Sequence, residues 1–228
     1  MTIRAVAWDV DGTLIDSEPI HLRALLDVCA AADVDLSDLA DEHFIGVALP
    51  DVWTALAPRF GAGLTWHQWS AAIETAYLAE ISRTSVPREA FAAVSRIAGF
   101  GLENVAVSNS SRRIVDANVA ALGLGQLLAF CVTLDDVKRP KPDPEPYRLA
   151  AERLGLAPGQ MIAVEDSPAG CASAAAAGCP VIRIGAGAAG SGPSPLATLA
   201  DMSLVPEIIA KACASGITIP PAIRRGPS

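Results

Sequence analysis

The residues of this chain best suited to chemistry begin with Asp9 and Asp11, in the stretch Trp8-Asp9-Val10-Asp11-Gly12-Thr13-Leu14. They follow an apolar run, Ile3 to Trp8, that reads as a short buried strand, and residues two apart on a strand project to one side. The spacing therefore directs both carboxylates toward one site. Two carboxylates that close repel each other, so either one takes up a proton or a cation sits between them. The same residues also suit a turn, since Asp and Gly both favour one and Asp16 or Ser17 could cap a helix. Taken alone, the stretch does not separate these readings.

The elements that must position it follow from apolar periodicity. Helical patterns run from Pro19 to Ala32, with Ser17 or Asp16 as cap, then over Leu49 to Phe60 and Trp66 to Ile81, with no strand between them. Residues 17–84 thus read as an all-helical insert. It holds Trp53, Trp66 and Trp69 of the four tryptophans and all three histidines, His21, His43 and His67. Most of those rings are expected to pack between helices. From Pro87 the chain alternates: helix to Ala98, strand Asn104 to Val107, helix Arg112 to Leu122, and a strand around Phe130 to Leu134. Helix Glu145 to Leu154, strand Met161 to Val164, helix Pro168 to Ala177 and strand Val181 to Ile184 follow. Such alternation implies a Rossmann-like parallel sheet flanked by helices, an α/β fold. Beyond Gly185 a loop and a short helix, Pro206 to Ala214, are expected, then a poorly ordered tail from Ile217.

Ligands bind at the carboxyl ends of the strands in such sheets, so the residues just after each strand are the ones to inspect. Strand one ends in Asp9 and Asp11. The next ends in Ser108-Asn109-Ser110, a hydroxyl and an amide before a helix start, which suits an anion. Another leads into Lys138-Arg139-Pro140-Lys141-Pro142-Asp143-Pro144, where prolines stiffen the approach of a cation, and a fourth ends in Glu165-Asp166-Ser167. Ser110 and Ser111 read as caps of the following helix. Oxygen ligands from two strand ends fit Mg²⁺, which keeps several waters and pairs with substrate phosphate. A hydroxyl, amides, a lysine and a hard cation at one point describe a phosphoryl site.

On these motifs the sequence resembles the haloacid dehalogenase-like hydrolase superfamily, in the branch of phosphatases and β-phosphoglucomutase-like enzymes with a helical cap inserted after the first motif. Asp9-Val10-Asp11-Gly12-Thr13, Ser108, Lys141 and Glu165-Asp166-Ser167-Pro168-Ala169-Gly170 stand in the family's order, and the match covers nearly the whole chain. The resemblance implies a core domain of residues 1–16 and 85–228 and a cap domain of residues 17–84, hinged near Asp16-Ser17 and Thr84-Ser85. It implies that Asp9 attacks phosphorus to form an aspartyl phosphate, and that Asp11 protonates the leaving oxygen and then deprotonates the hydrolytic water. Ser108 and Lys141 would hold phosphoryl oxygens, with Asn109 and His21 as further substrate contacts. Mg²⁺ would be bound by Asp9, the Asp11 backbone carbonyl and Asp166, with Glu165 as an additional contributor. The substrate is expected to be a small phosphorylated metabolite of the sugar-phosphate kind.

Within this family Asp11 argues against carbon–halogen cleavage, because a halide needs no proton. Residues 17–84 contain no lysine, which removes Schiff-base phosphonate chemistry. A sugar phosphomutase is the alternative, but its cap pattern Gly-Val-x-Arg ends here in Gly46-Val47-Ala48-Leu49, without the arginine for a second phosphate. A non-catalytic binding protein on the same scaffold is disfavoured because all four motifs keep their reactive side chains. Gly185-Ala186-Gly187-Ala188-Ala189-Gly190 spells a dinucleotide fingerprint, yet Ser191-Gly192-Pro193-Ser194-Pro195 breaks the helix that should follow, so it reads as a flexible loop.

Bulk properties agree. A chain of 228 residues with a formal charge of -8 and 51% hydrophobic residues suits a folded core with one extra subdomain and repels nucleic acid and anionic membranes. No apolar run is long enough for a membrane span, and Met1-Thr2-Ile3-Arg4 leads into a strand, so a cytoplasmic protein is expected. Cys29, Cys131, Cys171, Cys179 and Cys213 lack metal-ligand spacing and read as reduced core residues.

Overall fold

The computed structural model describes residues 2–40, 43–44, 47, 49–61, 63–83, 88–185 and 195–214, with side chains as far as 211. In chain order, β1 (Ala5–Trp8) is followed by three helices, α1 (Glu18–Ala31), α2 (Leu49–Leu56) and α3 (Trp66–Ile81). Then come α4 (Glu89–Gly99), β2 (Glu103–Val107), α5 (Arg112–Ala121), β3 (Cys131–Val132) and α6 (Glu145–Leu154). The chain continues with β4 (Met161–Glu165), α7 (Pro168–Ala177), β5 (Val181–Ile184), β6 (Ala197–Leu199) and α8 (Val205–Ala214). The six strands form one sheet in the order β3-β2-β1-β4-β5-β6, parallel at every pairing. The fold is thus the expected Rossmann-like α/β sheet with an inserted all-helical segment.

Strand β1 sits at the point where the order reverses, between β2 and β4, and Trp8 is in register with Ala106 on one side and Val164 on the other. Reversal points of this kind open a crevice at the strand ends. All four residues of β1 are buried, as a strand covered on both faces requires. One face carries small side chains, Ala5, Ala7 and Ala163, which let α7 approach through Ala174 and Ala177 and α6 through Ala150 and Ala151. On the other face the Trp8 indole N–H donates to Asn104 Oδ1 at 2.8 Å, and Asn104 Nδ2 donates to the Val94 carbonyl of α4 at 3.2 Å. A buried polar pair is thereby satisfied within the core.

By backbone packing the chain divides into two compact units, Met1–Ile15 with Val86–Ser228, and Asp16–Ser85. In the second unit α1 packs on α3, with His21 stacked on Tyr77 at a ring separation of 4.2 Å. Trp53, Phe60, Trp66 and Trp69 form one aromatic cluster, with Trp53 and Trp69 5.2 Å apart. A capping box of Thr65 and Gln68 starts α3.

Several local expectations change. Strand β6 lies where a loop was expected: it is a three-residue, partly exposed edge strand, too short to show alternation. Helix α2 stops at Leu56 and tightens into a 3₁₀ turn over Ala57–Arg59, because Pro58 disfavours the helical conformation of the residue before it. Ser17 stands at the N-cap of α1 but makes no side-chain capping bond. The fingerprint-like glycines after Gly185, the Thr84-Ser85 linker and the tail from 215 lie outside the described residues. Among the described residues no helix is long and apolar enough to cross a membrane.

Candidate active site at the strand ends

The chain leaves β1 through a tight turn: the Asp9 N–H still donates to Val164 O at 2.9 Å, and the Val10 carbonyl accepts from Leu14 N at 2.9 Å and Ile15 N at 3.1 Å. Gly12 has a φ of +83°, and a Cβ there would fall inside the Asp166 carboxylate. Glycine at this position therefore lets the β1 turn and the β4 turn meet. Thr13 Oγ1 donates to Asp166 Oδ1 at 3.3 Å across that junction.

Lys141 is the centre of the buried charges. Its Nζ donates to Asp9 Oδ1 at 2.7 Å, to the Val107 carbonyl at 2.7 Å and to Glu165 Oε1 at 2.5 Å. The side chains of Lys141, Asp9 and Glu165 are 4%, 9% and 0% exposed, so these bonds act where water screens little. The loop that carries Lys141 is fixed from two directions. Asn109 Nδ2 donates to the Lys141 carbonyl at 3.1 Å while Lys141 N donates to Asn109 Oδ1 at 2.9 Å, and Ser173 Oγ donates to the Asp143 carbonyl at 2.5 Å. Tyr147, the second residue after Glu145 in α6, donates its hydroxyl to Glu165 Oε1 at 2.5 Å. Gly170 leaves room for this arrangement, because a Cβ on it would overlap the Glu165 carboxylate.

Asp11 belongs to a separate set of bonds. Its Oδ2 accepts from Ser108 Oγ at 3.0 Å and Ser110 Oγ at 2.8 Å, and its Oδ1 accepts from Asn118 Nδ2 at 3.2 Å. Ser110 was expected to cap α5, but Ser111 does so, accepting from Ile114 N, and Ser110 faces Asp11. Lys138, by contrast, is exposed, with its N–H donating to Glu145 Oε1 at 2.9 Å.

Burial raises the Asp9 carboxyl well above the usual carboxylate range, Glu165 pushes it further, and Lys141 works in the opposite direction. Burial alone would lower the Lys141 ammonium, but Asp9 and Glu165 outweigh it and hold the group protonated. Asp166 is raised first by burial and then by Glu165, and burial, with Glu165 beside it, keeps the Tyr147 phenol protonated as a donor.

These groups bear on a metal ion as follows. Asp9, Glu165 and Asp166 offer oxygens within 4.8 Å of one another. Three carboxylates against the single Lys141 ammonium leave an excess of two negative charges, three minus one. Asp9 Oδ2 is buried and has no hydrogen-bond partner among the described residues. An orphaned anionic oxygen, in a cluster short of two positive charges, fits a hard divalent cation. The Glu165 oxygens differ, since Oε1 accepts from Lys141 and Tyr147 and Oε2 from Ser167 Oγ at 3.4 Å.

Of the residues selected from sequence, the structure brings together Asp9, Lys141, Glu165 and Asp166, with Asp11 and Ser108 bonded alongside. Asn109 holds the Lys141 backbone through its amide. His21 lies in the helical unit, stacked on Tyr77. Sequence reasoning missed the partners: Ser110 and Asn118 on Asp11, and the Tyr147 hydroxyl on Glu165. Asn118 left a signal, because it interrupts an otherwise apolar inward stripe of α5.

A parallel sheet with acid pairs and a buried lysine at its strand ends is a site suited to phosphoryl chemistry, and the comparisons with known proteins make the class specific. A family model of haloacid dehalogenase-like hydrolases matches residues 3–178, so the chain belongs to that family. It is 32% identical over 198 residues to hexitol phosphatase A of Escherichia coli, covering 82% of this chain and 85% of that protein. It is 33% identical over 205 residues to a plasmid phosphoglycolate phosphatase of Cupriavidus necator, covering 82% and 83%. Among solved structures, CbbY of Rhodobacter sphaeroides, in complex with phosphate, has the same fold with a TM-score of 0.76 and 23% identity, covering 89% of this chain and 96% of that one. The protein is accordingly a hydrolase of the phosphatase kind.

Proposed function

We propose that this protein is a Mg²⁺-dependent phosphatase that hydrolyses a small phosphorylated metabolite of the sugar-phosphate kind in the cytoplasm, through an aspartyl phosphate on Asp9. The observation that carries this reading is the divided environment of the Asp9 carboxylate. Oδ1 is fixed by Lys141 at 2.7 Å, while Oδ2 is buried and unpartnered among the described residues. A carboxylate with one oxygen open to a metal and the other oriented by an ammonium can serve as ligand through the first and as nucleophile through the second. In the first displacement an Asp9 oxygen forms a bond to phosphorus, the bond to the leaving oxygen breaks with its electron pair, and Asp11 gives that oxygen a proton. In the second, water attacks phosphorus, its proton passes to Asp11, and inorganic phosphate leaves Asp9 as a free carboxylate. Ser108 and Lys141 stabilise the phosphoryl oxygens.

Asp9, the Asp11 carbonyl and Asp166 would hold Mg²⁺, which supplies charge neutralisation to the transferring group. Glu165 we assign to anchoring Lys141. The helical unit, residues 17–84, acts as a cap that excludes water during transfer, with His21 among the substrate contacts. The free state of Cys29, Cys131, Cys171 and Cys179 suits a reducing compartment. The names of the two relatives, both phosphatases of small phosphorylated molecules, support the substrate class. The test is phosphate release from 4-nitrophenyl phosphate with Mg²⁺, then across phosphorylated polyols and hydroxy acids. Asp9→Asn should lower kcat by at least about 10⁴-fold, since no second group replaces the nucleophile. Equal turnover by both proteins would remove Asp9 from the reaction.

A further inference from the structure

We propose that Asn118 positions the carboxyl of Asp11 for proton transfer, a role that rests on the reading of Asp11 as the acid and base of the reaction. Helix α5 turns Val115 and Asn118 inward, both with no exposed surface, and Leu122 follows on the same face. That stripe calls for an apolar side chain at position 118. An asparagine there is a poor helix former, and its amide must find partners inside the protein. Nδ2 finds one in Asp11 Oδ1 at 3.2 Å, 107 residues away in sequence. The helix start is already capped by Ser111, and Val115 is buried on the same face, so this amide is not the cap of α5.

The geometry gives the amide a use. A carboxyl bonded at one oxygen still turns about its Cβ–Cγ bond, whereas donors on both oxygens fix its plane. Asp11 Oδ2 takes the hydroxyls of Ser108 and Ser110 from the loop after β2, and Asn118 takes Oδ1 from the helix. A hydroxyl can turn to a phosphoryl oxygen when one arrives, since it rotates freely. The buried amide cannot follow, so it is the support that persists when substrate draws Ser108 away. With Oδ1 engaged by an N–H, Oδ2 is the oxygen that exchanges the proton with the leaving group.

A positioning role differs from a structural one in how the loss depends on the leaving group. The experiment measures kcat/KM, which covers the steps through formation of the aspartyl phosphate, for 4-nitrophenyl phosphate and phenyl phosphate with Mg²⁺. The first leaving group departs without a proton and the second needs one. Asn118→Leu keeps the branching and number of side-chain heavy atoms and removes the donor; Asn118→Ser provides a second, smaller variant that cannot reach Asp11. The expected result is a loss on the order of 100-fold for phenyl phosphate. For 4-nitrophenyl phosphate the change should stay within about threefold. Asp11→Asn is the reference and should show the same selectivity. A selective reference with equal or no loss in the Asn118 variants overturns the proposal alone. An unselective Asp11→Asn overturns the reading of Asp11 and the proposal with it. Loss of folding in both Asn118 variants assigns the residue to the fold and also overturns it.

Discussion

Asp9 with Asp11 after β1, and Glu165 with Asp166 after β4, are two acid pairs of the same charge on adjacent strands, and their surroundings are opposite. After β1 the first acid keeps a bare oxygen and the second is met by three neutral donors. After β4 the first acid has both oxygens occupied, one of them by Lys141 and Tyr147, and the second is the more exposed. The difference lies in where the partners come from. Lys141 is shared, but Tyr147 and Gly170, both of which serve Glu165, come from the helices on one side of the sheet. The Asp11 donors come from the loop after β2 and from α5. Two pairs that read alike as metal ligands therefore differ in their bonding, and in the proposed mechanism they divide into a nucleophile with its proton carrier, and an anchor with its metal ligand.

The sharpest way to break this comparison is to neutralise the two acids after β4 separately. Glu165→Gln leaves the buried Lys141 with one carboxylate fewer, and removing one partner of a buried ion pair costs about 3 kcal/mol. Its Tm should fall, with kcat down on the order of 100-fold because Lys141 is no longer held. Asp166→Asn should lose as much activity or more and should raise the Mg²⁺ concentration needed. Its Tm without metal should be unchanged or higher, since a carboxyl already raised by burial and by Glu165 gives up its charge. Thermal melts and Mg²⁺ titrations of the two variants decide it. A Glu165→Gln protein with an unchanged Tm and a raised Mg²⁺ requirement would make Glu165 a ligand and dissolve the division.

A second substitution sharpens the same contrast through packing alone. In Gly170→Ala the new methyl meets the Glu165 carboxylate, which cannot retreat without leaving Lys141 and Tyr147. Overpacking at such a point costs about 3 kcal/mol, readable in denaturant melts. A stability change within about 0.5 kcal/mol would mean that Glu165 moves freely and is not an anchor.

Most of the sheet, and the residues that meet at its strand ends, were legible because they rest on local signals. Helices α3, α6 and α7 and strand β5 begin and end where apolar periodicity and flanking proline or glycine put them. Lys141, rather than Lys138, is the lysine that stands in the family's motif order, and Lys138 is exposed. What was not legible is reciprocal: the site residues could be named, but which acid holds the lysine depends on side chains from distant elements. Tyr147 carries no signal of its own, because a hydroxyl that bonds Glu165 looks the same in sequence as one that does not. Ser110 and Ser111 both suit a cap, and only the path of the backbone assigns one to the helix and the other to Asp11. Strand β6 was missed for a related reason, since three residues on an edge carry no period.

The smallest effect comes from an acid that resembles these four in type and sits at a third strand end without joining the site. Asp136, in the turn after β3, accepts from Arg112 at 2.5 Å, Arg153 at 2.9 Å and the Thr133 backbone and hydroxyl, both at 2.8 Å. Burial pulls its carboxyl up, but the Arg153 and Thr133 bonds, with Arg112, outweigh it and hold it down at about 2. Its sign is opposite to that of Asp166. A carboxyl depressed in the folded state adds stability above its unfolded pKa of about 3.9 and loses it as pH falls toward about 2. Solvent reaches the two arginines, so the contribution is about 1 kcal/mol rather than the full shift. Asp136→Asn should therefore lower stability by about that amount at pH 7, with the gap to wild type closing between about pH 4 and pH 2. kcat should stay within about twofold, because no bond from Asp136 reaches Asp9 or Lys141. A pH-independent gap would mean that Asp136 acts through packing, and a large fall in kcat would extend the site to β3 and remove the contrast between anchoring acids and reacting ones.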